Sequence, residues 1–420
     1  MNALKLPDKP FEISKRAVWE AYEKVRANRG APGVDEVTLG EFEEDLKGNL
    51  YKVWNRLSSG SYFPPPVRAV EIPKGPGRGT RMLGVPTVAD RVAQTVVAGV
   101  LEERAERVFH PDSFGYRPNR SALDAVGVCR ERCWMHDWVI EFDIRSFFDS
   151  VRWDLVCKAV AAVCDLPWVM LYVKRWLAAP VQYPDGAVVV RENGTPQGSA
   201  ISPVLANLFL HYAFDVWMTR EHPGVRFERY ADDAVLHCNS LAEAEKVLAA
   251  LRVRMSEVGL ELHPDKTRIV YCKDGRRRGE YAHTSFTFLG FDFRPRRVRL
   301  RSGKLMLGFN PAASRDAIKK MGAQVRSWRL HRCTSLTEKD LARWINPIVR
   351  GWMQYYGKYY RSVLYPLLGR INAYLMRWLR NKYGRLRGRK KALKAWEKAV
   401  ALRPRFFAHW QWIPSMPSVW

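Results

Sequence analysis

The stretch Phe227–Ser240, FERYADDAVLHCNS, sets two acidic side chains, Asp232 and Asp233, between two short apolar-rich runs. Aspartate is a common turn residue, so a hairpin tip explains one of them. It does not explain two adjacent charges that repel each other. A site that holds a divalent cation between carboxylates does, and other stretches of the chain bear on that choice.

In Trp138–Phe148, WVIEFDIRSFF, strand alternation places Val139, Glu141 and Asp143 on one face and Ile140, Phe142 and Ile144 on the other. An apolar face turned to the core leaves Asp143 at the strand end, facing a cleft. A lone strand-end aspartate is usually a turn or a cap. This one gains weight because it can meet the Asp232–Asp233 tip on a neighbouring strand. Three converging carboxylates are strongly unfavourable without cations. Mg2+, a hard ion that takes oxygen ligands and keeps waters for substrate phosphates, makes the cluster tenable. Two such ions about 4 Å apart can activate an attacking 3′-oxygen and stabilise a leaving pyrophosphate.

The 420 residues allow two or three domains with a substantial core. Seven cysteines, none in a CxxC pair, give neither a zinc module nor a disulfide framework, and read as reduced, mostly buried thiols. The opening MNALKLPDKPFEIS has no apolar signal region, and no run approaches the roughly 18 apolar residues of a membrane span. The expectation is a cytoplasmic protein with no membrane partner.

Charge is distributed unevenly. Residues 291–420 hold 30 Lys/Arg against 5 Asp/Glu, a net +25 out of the chain's +26, so residues 1–290 carry only +1. Nucleic acid, an anionic membrane surface or a solvated tail could each account for this. Eight of the 16 tryptophans fall in the same third, where a solvated tail would be poor in aromatics. The favoured partner is nucleic acid, through phosphate neutralisation plus a stacking surface.

Along the chain, residues 11–57 read as two helices joined by ANRGAPGVDEVT. YFPPPVRAVEIPKGPGRGTRMLGVPT reads as two strands around a Gly-rich turn, and residues 88–108 as a helix. GTPQGSAISP is a loop that leads into the apolar helix VLANLFLHYAFDVW. ELHPDKTRIVYC and FTFLGFDFRPRRVRL read as strands, and beyond Leu300 the pattern turns wholly helical. The fold class is α+β, with a basic helical appendage.

EFDIRSFFDSV, GTPQGSAISPVLANL, RYADDAVLHC, GLELHPDKT and FTFLGFDF, in that order, resemble successive blocks of a reverse transcriptase. ANRGAPGVD, EIPKGPGRGTRMLGVPT and SFGYRPNRSALDAV narrow the likeness to the group II intron-encoded kind. RWINPIVRGWMQYYGKY is similar to that family's maturase, or X, domain. The resemblance implies a right-hand polymerase of fingers, palm and thumb, organised as follows: an N-terminal extension and fingers over 1–137, a palm over 138–298 with an inserted fingers segment at about 155–200, a thumb/X domain over 299–384, and a basic nucleic-acid-binding segment over 385–420. It implies Asp143, Asp232 and Asp233 as the palm carboxylates, with the Ile144 carbonyl helping to hold two Mg2+ ions. Lys74 and Arg81 would hold the nucleotide triphosphate, Gln197 would touch the incoming nucleotide or template, and Phe148 would lie under the sugar and exclude a 2′-hydroxyl. Lys266 would approach the phosphates, and Leu289–Gly290 would form the primer-grip turn.

The implied partners are group II intron RNA, an RNA template with its DNA primer, target DNA and dNTPs. After FFAHWQWIPS no Cys or His pairs follow, so the HNH endonuclease of many relatives is not expected. Two other readings fit much of the same sequence: an RNA-binding splicing cofactor with a vestigial polymerase, and a domesticated reverse transcriptase of DNA repair or phage defence.

Overall fold

Side-chain caps open the N-terminal helices. Ser14 accepts from the Ala17 N–H at 3.0 Å ahead of α1 (Lys15–Asn28). Thr38 and Glu41 form a reciprocal capping box at α2 (Leu39–Glu44). Asp45 then accepts from the Gly48 N–H at 3.1 Å and starts α3 (Leu46–Ser58). That side-chain bond offers the backbone an alternative to a continuing turn, so the second expected helix is divided in two. The computed structural model describes residues 9–73, 79–299 and 302–415; Lys74 lies outside them.

Strands β1 (Val67–Pro73) and β2 (Thr80–Val85) pair antiparallel, from Arg68 opposite Val85 to Pro73 opposite Thr80. Thr87 caps α4 (Val88–Ala105). There follow α5 (Ala122–Met135), β3 (Trp138–Phe142), α6 (Phe147–Ser150), α7 (Trp153–Val163) and α8 (Pro167–Leu177). Pro167 sits in the first turn of α8, where its missing N–H costs nothing. Short strands β4 (Val181–Gln182) and β5 (Val188–Val189) extend the first hairpin into a sheet of order β2–β1–β4–β5. α9 (Ser202–Leu210) passes through a π-helical turn, His211–Asp215, into α10 (Val216–Glu221). β6 (Arg226–Tyr230) and β7 (Asp233–Cys238) are hydrogen-bonded neighbours, and α11 (Leu241–Glu257) follows them.

β8 (Arg268–Tyr271) pairs antiparallel with β3, from Trp138 opposite Tyr271 to Glu141 opposite Arg268. β9 (Phe286–Phe288), β10 (Phe291–Arg299) and β11 (Leu305–Ala313) form an antiparallel sheet of order β11–β10–β9. The chain closes with α12 (Arg315–Ser327), α13 (Glu338–Tyr360), α14 (Tyr365–Lys382) and α15 (Arg389–Leu402).

Two local readings of the sequence change. The region past Leu300 is not wholly helical, because β11 pairs with β10 over its full length and helix begins at Arg315. Phe309 and Ala312 are fully buried on β11, so this strand shares the core of β10. Val139 is also fully buried, as are Ile140 and, nearly, Phe142. Both faces of β3 are therefore covered, and simple alternation does not describe it.

The chain divides into two compact units. One gathers the residues up to Ala125, Phe142–Leu236 and Glu245–Thr267; the other gathers Val126–Glu141, His237–Ala244 and Arg268 onward. In the second unit a single buried cluster joins Val325, Leu341, Ile345, Leu368, Ile371 and Met376. Trp328, Trp378, Trp396 and Trp410 belong to the same cluster. These tryptophans are core, not the stacking surface that their interleaving with basic residues suggests; Trp344, at 40% exposure, does face outward. Trp396 on α15 also ties the basic C-terminal stretch to α13 and α14. Among the described residues, no helix is long and apolar enough to cross a membrane.

The first unit contains a buried acid that locks two elements together. Asp90, fully buried on α4, accepts from Tyr62 Oη at 2.9 Å, Trp176 Nε1 at 2.7 Å and Gln94 Nε2 at 2.9 Å. The Gln94 carbonyl oxygen in turn accepts from the Ala200 N–H at 2.7 Å, which pins the 196–201 loop to α4. Burial outweighs these three donors and pushes the Asp90 carboxyl up to about 6. Its folded value thus exceeds its unfolded value of 3.8, so the group favours the folded state below that value and loses this contribution as pH rises through 6. The difference corresponds to about 3 kcal/mol. Asp90→Asn is expected to flatten the stability–pH curve between pH 4 and 6 relative to the parent chain, read from urea midpoints across that window.

Candidate active site

The β6–β7 turn is built over a buried ion pair. Arg229 and Asp215 are 1% and 0% exposed and bond twice, Nε to Oδ1 at 2.7 Å and Nη2 to Oδ2 at 2.6 Å. Burial alone would raise the Asp215 carboxyl, but the charge and hydrogen bonds of Arg229 prevail and hold it below the ordinary carboxylate range. The remaining guanidinium nitrogen, Nη1, donates to Asn207 Oδ1 at 3.0 Å and to the Ala231 carbonyl at 3.1 Å. Ala231 has φ +57°, an uncommon conformation for a residue with a Cβ, and the arginine holds its carbonyl there. The π-helical turn brings Asp215 into this position at its end.

The same arginine is fixed through its backbone. Its N–H donates to the Asp112 carbonyl at 2.9 Å, and its carbonyl accepts from the Phe114 N–H at 2.8 Å. Asn207 Nδ2 donates to the Gly115 carbonyl at 2.6 Å. A Cβ at Gly115 would lie 2.4 Å from the Ala231 nitrogen, so only glycine lets the SFGYRP loop pass this close to the acidic turn. Tyr116, the next residue, lies in the field of Asp232, Asp233 and Arg81.

Asp143 follows β3 and is held by an isolated antiparallel bridge, Ile144 opposite Leu262. The bridge uses the Asp143 carbonyl, which accepts from His263 N at 2.8 Å, and the Arg145 N–H, which donates to Glu261 O at 2.8 Å. It does not use the carbonyl of Ile144. Lys266 Nζ bonds Asp143 Oδ2 at 2.8 Å. Asp232 is half-buried, and its carboxyl is raised first by burial and then by the nearby negative charge of Asp143, against the opposing charges of Arg229 and Lys266. Asp143 and Asp232 therefore share one electrostatic environment, with exposed Asp233 next in the chain. All the donors here are oxygens, a set suited to a hard divalent cation.

The loop that carries Gln197 packs on the segment that carries Phe148. Thr195 N donates to Phe148 O at 2.7 Å, and Gly194 N donates to Val151 O at 2.8 Å. Gly84 N on β2 donates to Gln197 O at 2.8 Å. Gly198, at φ +112°, would place a Cβ 2.8 Å from the Gly84 carbonyl, so the loop needs glycine on both counts. Phe148 is partly exposed with its ring edge-on to Phe147, and Arg81 on β2 is exposed. Leu289 and Gly290 belong to the second unit. They form the β9–β10 turn with φ +49° and +79°, and Tyr355 Oη donates to the Leu289 carbonyl at 2.9 Å.

The first unit thus gathers Asp143, Ile144, Asp232, Asp233, Lys266, Phe148, Gln197 and Arg81. Sequence reasoning missed the residues that hold the turn: Asp215, Arg229, Asn207 and Gly115. The sequence offered one signal, a charged Arg229 within the short run that precedes Asp232, but nothing in it names the partner.

Residues 72–293 match the family described as Reverse transcriptase (RNA-dependent DNA polymerase), and residues 318–396 match Group II intron, maturase-specific domain. The chain is similar to Protein YkfC of Escherichia coli (strain K12), with 32% identity over 328 residues, 67% of this chain and 80% of that one. It is similar to the Group II intron-encoded protein LtrA of Lactococcus lactis subsp. cremoris, with 32% identity over 195 residues, 46% of this chain and 32% of LtrA. A solved structure of telomerase from Candida albicans matches at a TM-score of 0.48 and 10% identity, over 90% of this chain and 69% of that one. That likeness is too loose to argue from.

Removing one partner of the buried pair leaves a charge without compensation, at a cost of about 3–5 kcal/mol. Asp215→Ala is expected to lose stability on that scale in urea unfolding. The double variant Asp215→Leu with Arg229→Met is expected to regain most of it while primer extension stays impaired, because the Ala231 carbonyl has lost its donor.

Proposed function

This chain belongs to the reverse transcriptase family and carries a maturase-specific domain of the group II intron type, and on that premise we propose that it copies intron RNA into cDNA and binds the same RNA to promote splicing and retrohoming. The observation that carries the polymerase half is that Asp143, just after β3, lies close enough to Asp232 at the β6–β7 turn for its charge to raise that carboxyl, beside Lys266 on Asp143 Oδ2. A vestigial polymerase would be under no pressure to keep such an arrangement, since it disfavours its own ionised form. The charge of residues 291–420 supports the RNA-binding half, since phosphate neutralisation dominates affinity for nucleic acid.

In this reading Asp143, Asp232 and Asp233, with the Ile144 carbonyl, would hold two Mg2+ ions, which would supply Lewis acidity to the primer 3′-oxygen and charge neutralisation to the departing pyrophosphate. Lys266, whose Nζ lies 2.8 Å from Asp143 Oδ2, would approach the phosphates. Arg81, together with Lys74, grips the triphosphate, and Arg suits this as a bidentate fork. Gln197 would touch the incoming nucleotide or template, on a loop whose backbone is fixed by Gly84 and Phe148. Phe148 lies under the sugar. Leu289–Gly290 present backbone to the primer. The substrates are dNTPs on an RNA template with a DNA primer, and the further partners are intron RNA and target DNA. The functional division runs as fingers to residue 137, palm over 138–298 with an inserted fingers segment, thumb/X over 299–384, and a basic segment beyond.

Asp232→Asn is expected to abolish Mg2+-dependent primer extension while leaving folding and RNA binding nearly intact, since it removes a metal ligand and relieves like-charge repulsion. Near-normal extension by this variant would refute the assignment. Phe148→Val is expected to raise ribonucleotide incorporation relative to deoxynucleotide. A clash of about 2 kcal/mol corresponds to about 30-fold in selectivity. Unchanged discrimination in a variant that still polymerises would return Phe148 to an ordinary packing role.

A further inference from the structure

Five aromatic rings of the second unit, Trp378, Tyr383, Trp396, Phe407 and Trp410, line a cavity of about 270 Å3 between α14 and α15. Neighbouring rings meet at steep angles: 86° for Trp378 and Tyr383, 70° for Trp396 and Trp410, and 67° for Phe407 and Trp410. Rings packed this way do not cover one another's faces, so π surface is left to the space they enclose. The three indole N–H groups are already used. Trp378 Nε1 donates to the Cys333 carbonyl at 2.9 Å, Trp396 Nε1 to the Pro414 carbonyl at 3.1 Å and Trp410 Nε1 to Asn372 Oδ1 at 3.2 Å. These tryptophans therefore offer a guest ring surface and no donor.

Two charged side chains also line the cavity, Glu338 in the first turn of α13 and exposed Arg385. Arg403 Nη2 donates to Glu338 Oε2 at 2.8 Å. A carboxylate has roughly four lone-pair sites, so Glu338 can still accept two further bonds. The stretch that builds most of the cavity is strongly basic: residues 377–405 hold 12 Lys/Arg and a single acidic residue, Glu397. A cation, the guest that aromatic cages commonly take, is repelled by such surroundings. An RNA strand is attracted by them, and a base that leaves its stack needs both a ring surface and a partner for its edge. The volume fits one ring system, since pockets for drug-sized molecules span roughly 300–1,000 Å3.

We propose, on the premise that this unit binds RNA, that the cavity takes one unstacked guanine base. Guanine sets two N–H donors side by side on its Watson–Crick edge, and these match a carboxylate that accepts twice. Adenine and cytosine place an acceptor next to their amino group, and uracil flanks its one N–H with two carbonyls. Each of those bases would turn a lone pair toward Glu338. Arg385 suits the phosphate beside the inserted base. Phosphate contacts position a nucleic acid and base contacts specify it. Affinity therefore stays with the basic surface, and the cavity adds a choice of base.

The test is the affinity of the full chain for short fluorescent RNA strands, read by anisotropy at fixed salt. One strand is all uridine, one carries a single internal guanosine, and one carries inosine at that position. The guanosine strand is expected to bind about tenfold more tightly than the all-uridine strand, the scale of one good bidentate base contact. Inosine lacks the N2 amino group and is expected to lose most of that gain. Ala395→Leu fills the cavity from α15 without changing charge. It is expected to erase the preference while all-uridine binding and its salt slope stay as in the unaltered chain. Glu338→Gln, at a partly exposed residue, is expected to erase the preference as well, and it decides the matter if Ala395→Leu does not fold. Equal affinity of the unaltered chain for the guanosine and all-uridine strands would overturn the guanine site and leave RNA binding standing. No binding of any strand would overturn both. A preference that survives in the folded variants would place the choice of base elsewhere and overturn the site too.

Discussion

The acidic turn depends on one buried ion pair. Arg229 lies two residues before the turn and Asp215 lies on a different element, yet their doubly bonded contact decides where Ala231 can go. A buried pair of this kind is seldom a large net source of stability, because desolvating both charges costs about what their attraction returns. Its value here is geometric. The guanidinium has more donors than the carboxylate consumes, and the spare nitrogen holds an alanine carbonyl in a conformation that alanine does not favour. Removing either partner would cost both the pair and the turn.

Around that turn, most of the positioning is done by backbone, not by side chains. Gly84 and Gln197 meet main chain to main chain, as do Thr195 and Phe148, and as do His263 and Asp143. Such contacts leave the side chains of Gln197, Phe148 and Asp143 free to be chosen for chemistry. The Asp90–Gln94 relay follows the same logic one layer further out. A buried carboxylate orients a glutamine, and the glutamine holds a loop by a single N–H. Because Asp90 is buried, that relay is tied to pH while the loop it serves is not itself titratable.

The second unit separates two tasks that its composition mixes. Trp328, Trp378, Trp396 and Trp410 close a core shared by α12, α13, α14 and α15. The unit's many arginines and lysines supply the charge. In the proposed reading, nucleic-acid attraction from this region would therefore rest on phosphate neutralisation much more than on aromatic stacking. The basic C-terminal stretch cannot be treated as a detachable tail either, since Trp396, Phe407 and Trp410 fill the same cluster as Leu341 and Leu368.

The polymerase class was legible in the chain alone, because EFDIRSFF, GTPQG and RYADD are local patterns whose order resembles successive blocks of a reverse transcriptase. The chain also determined the hairpin that presents Asp232 and the net charge of the C-terminal third, because residue type and spacing carry both. What only the tertiary structure decided are relations between distant residues. Asp215 and Arg229 are 14 positions apart, and Asn207 and Gly115 are 92 apart. No periodicity marks such pairs, because a buried ion pair is defined by what surrounds it. β11 escaped for a similar reason: KLMLGFNPAAS has weak alternation, and it becomes a strand because β10 offers it a full register of partners.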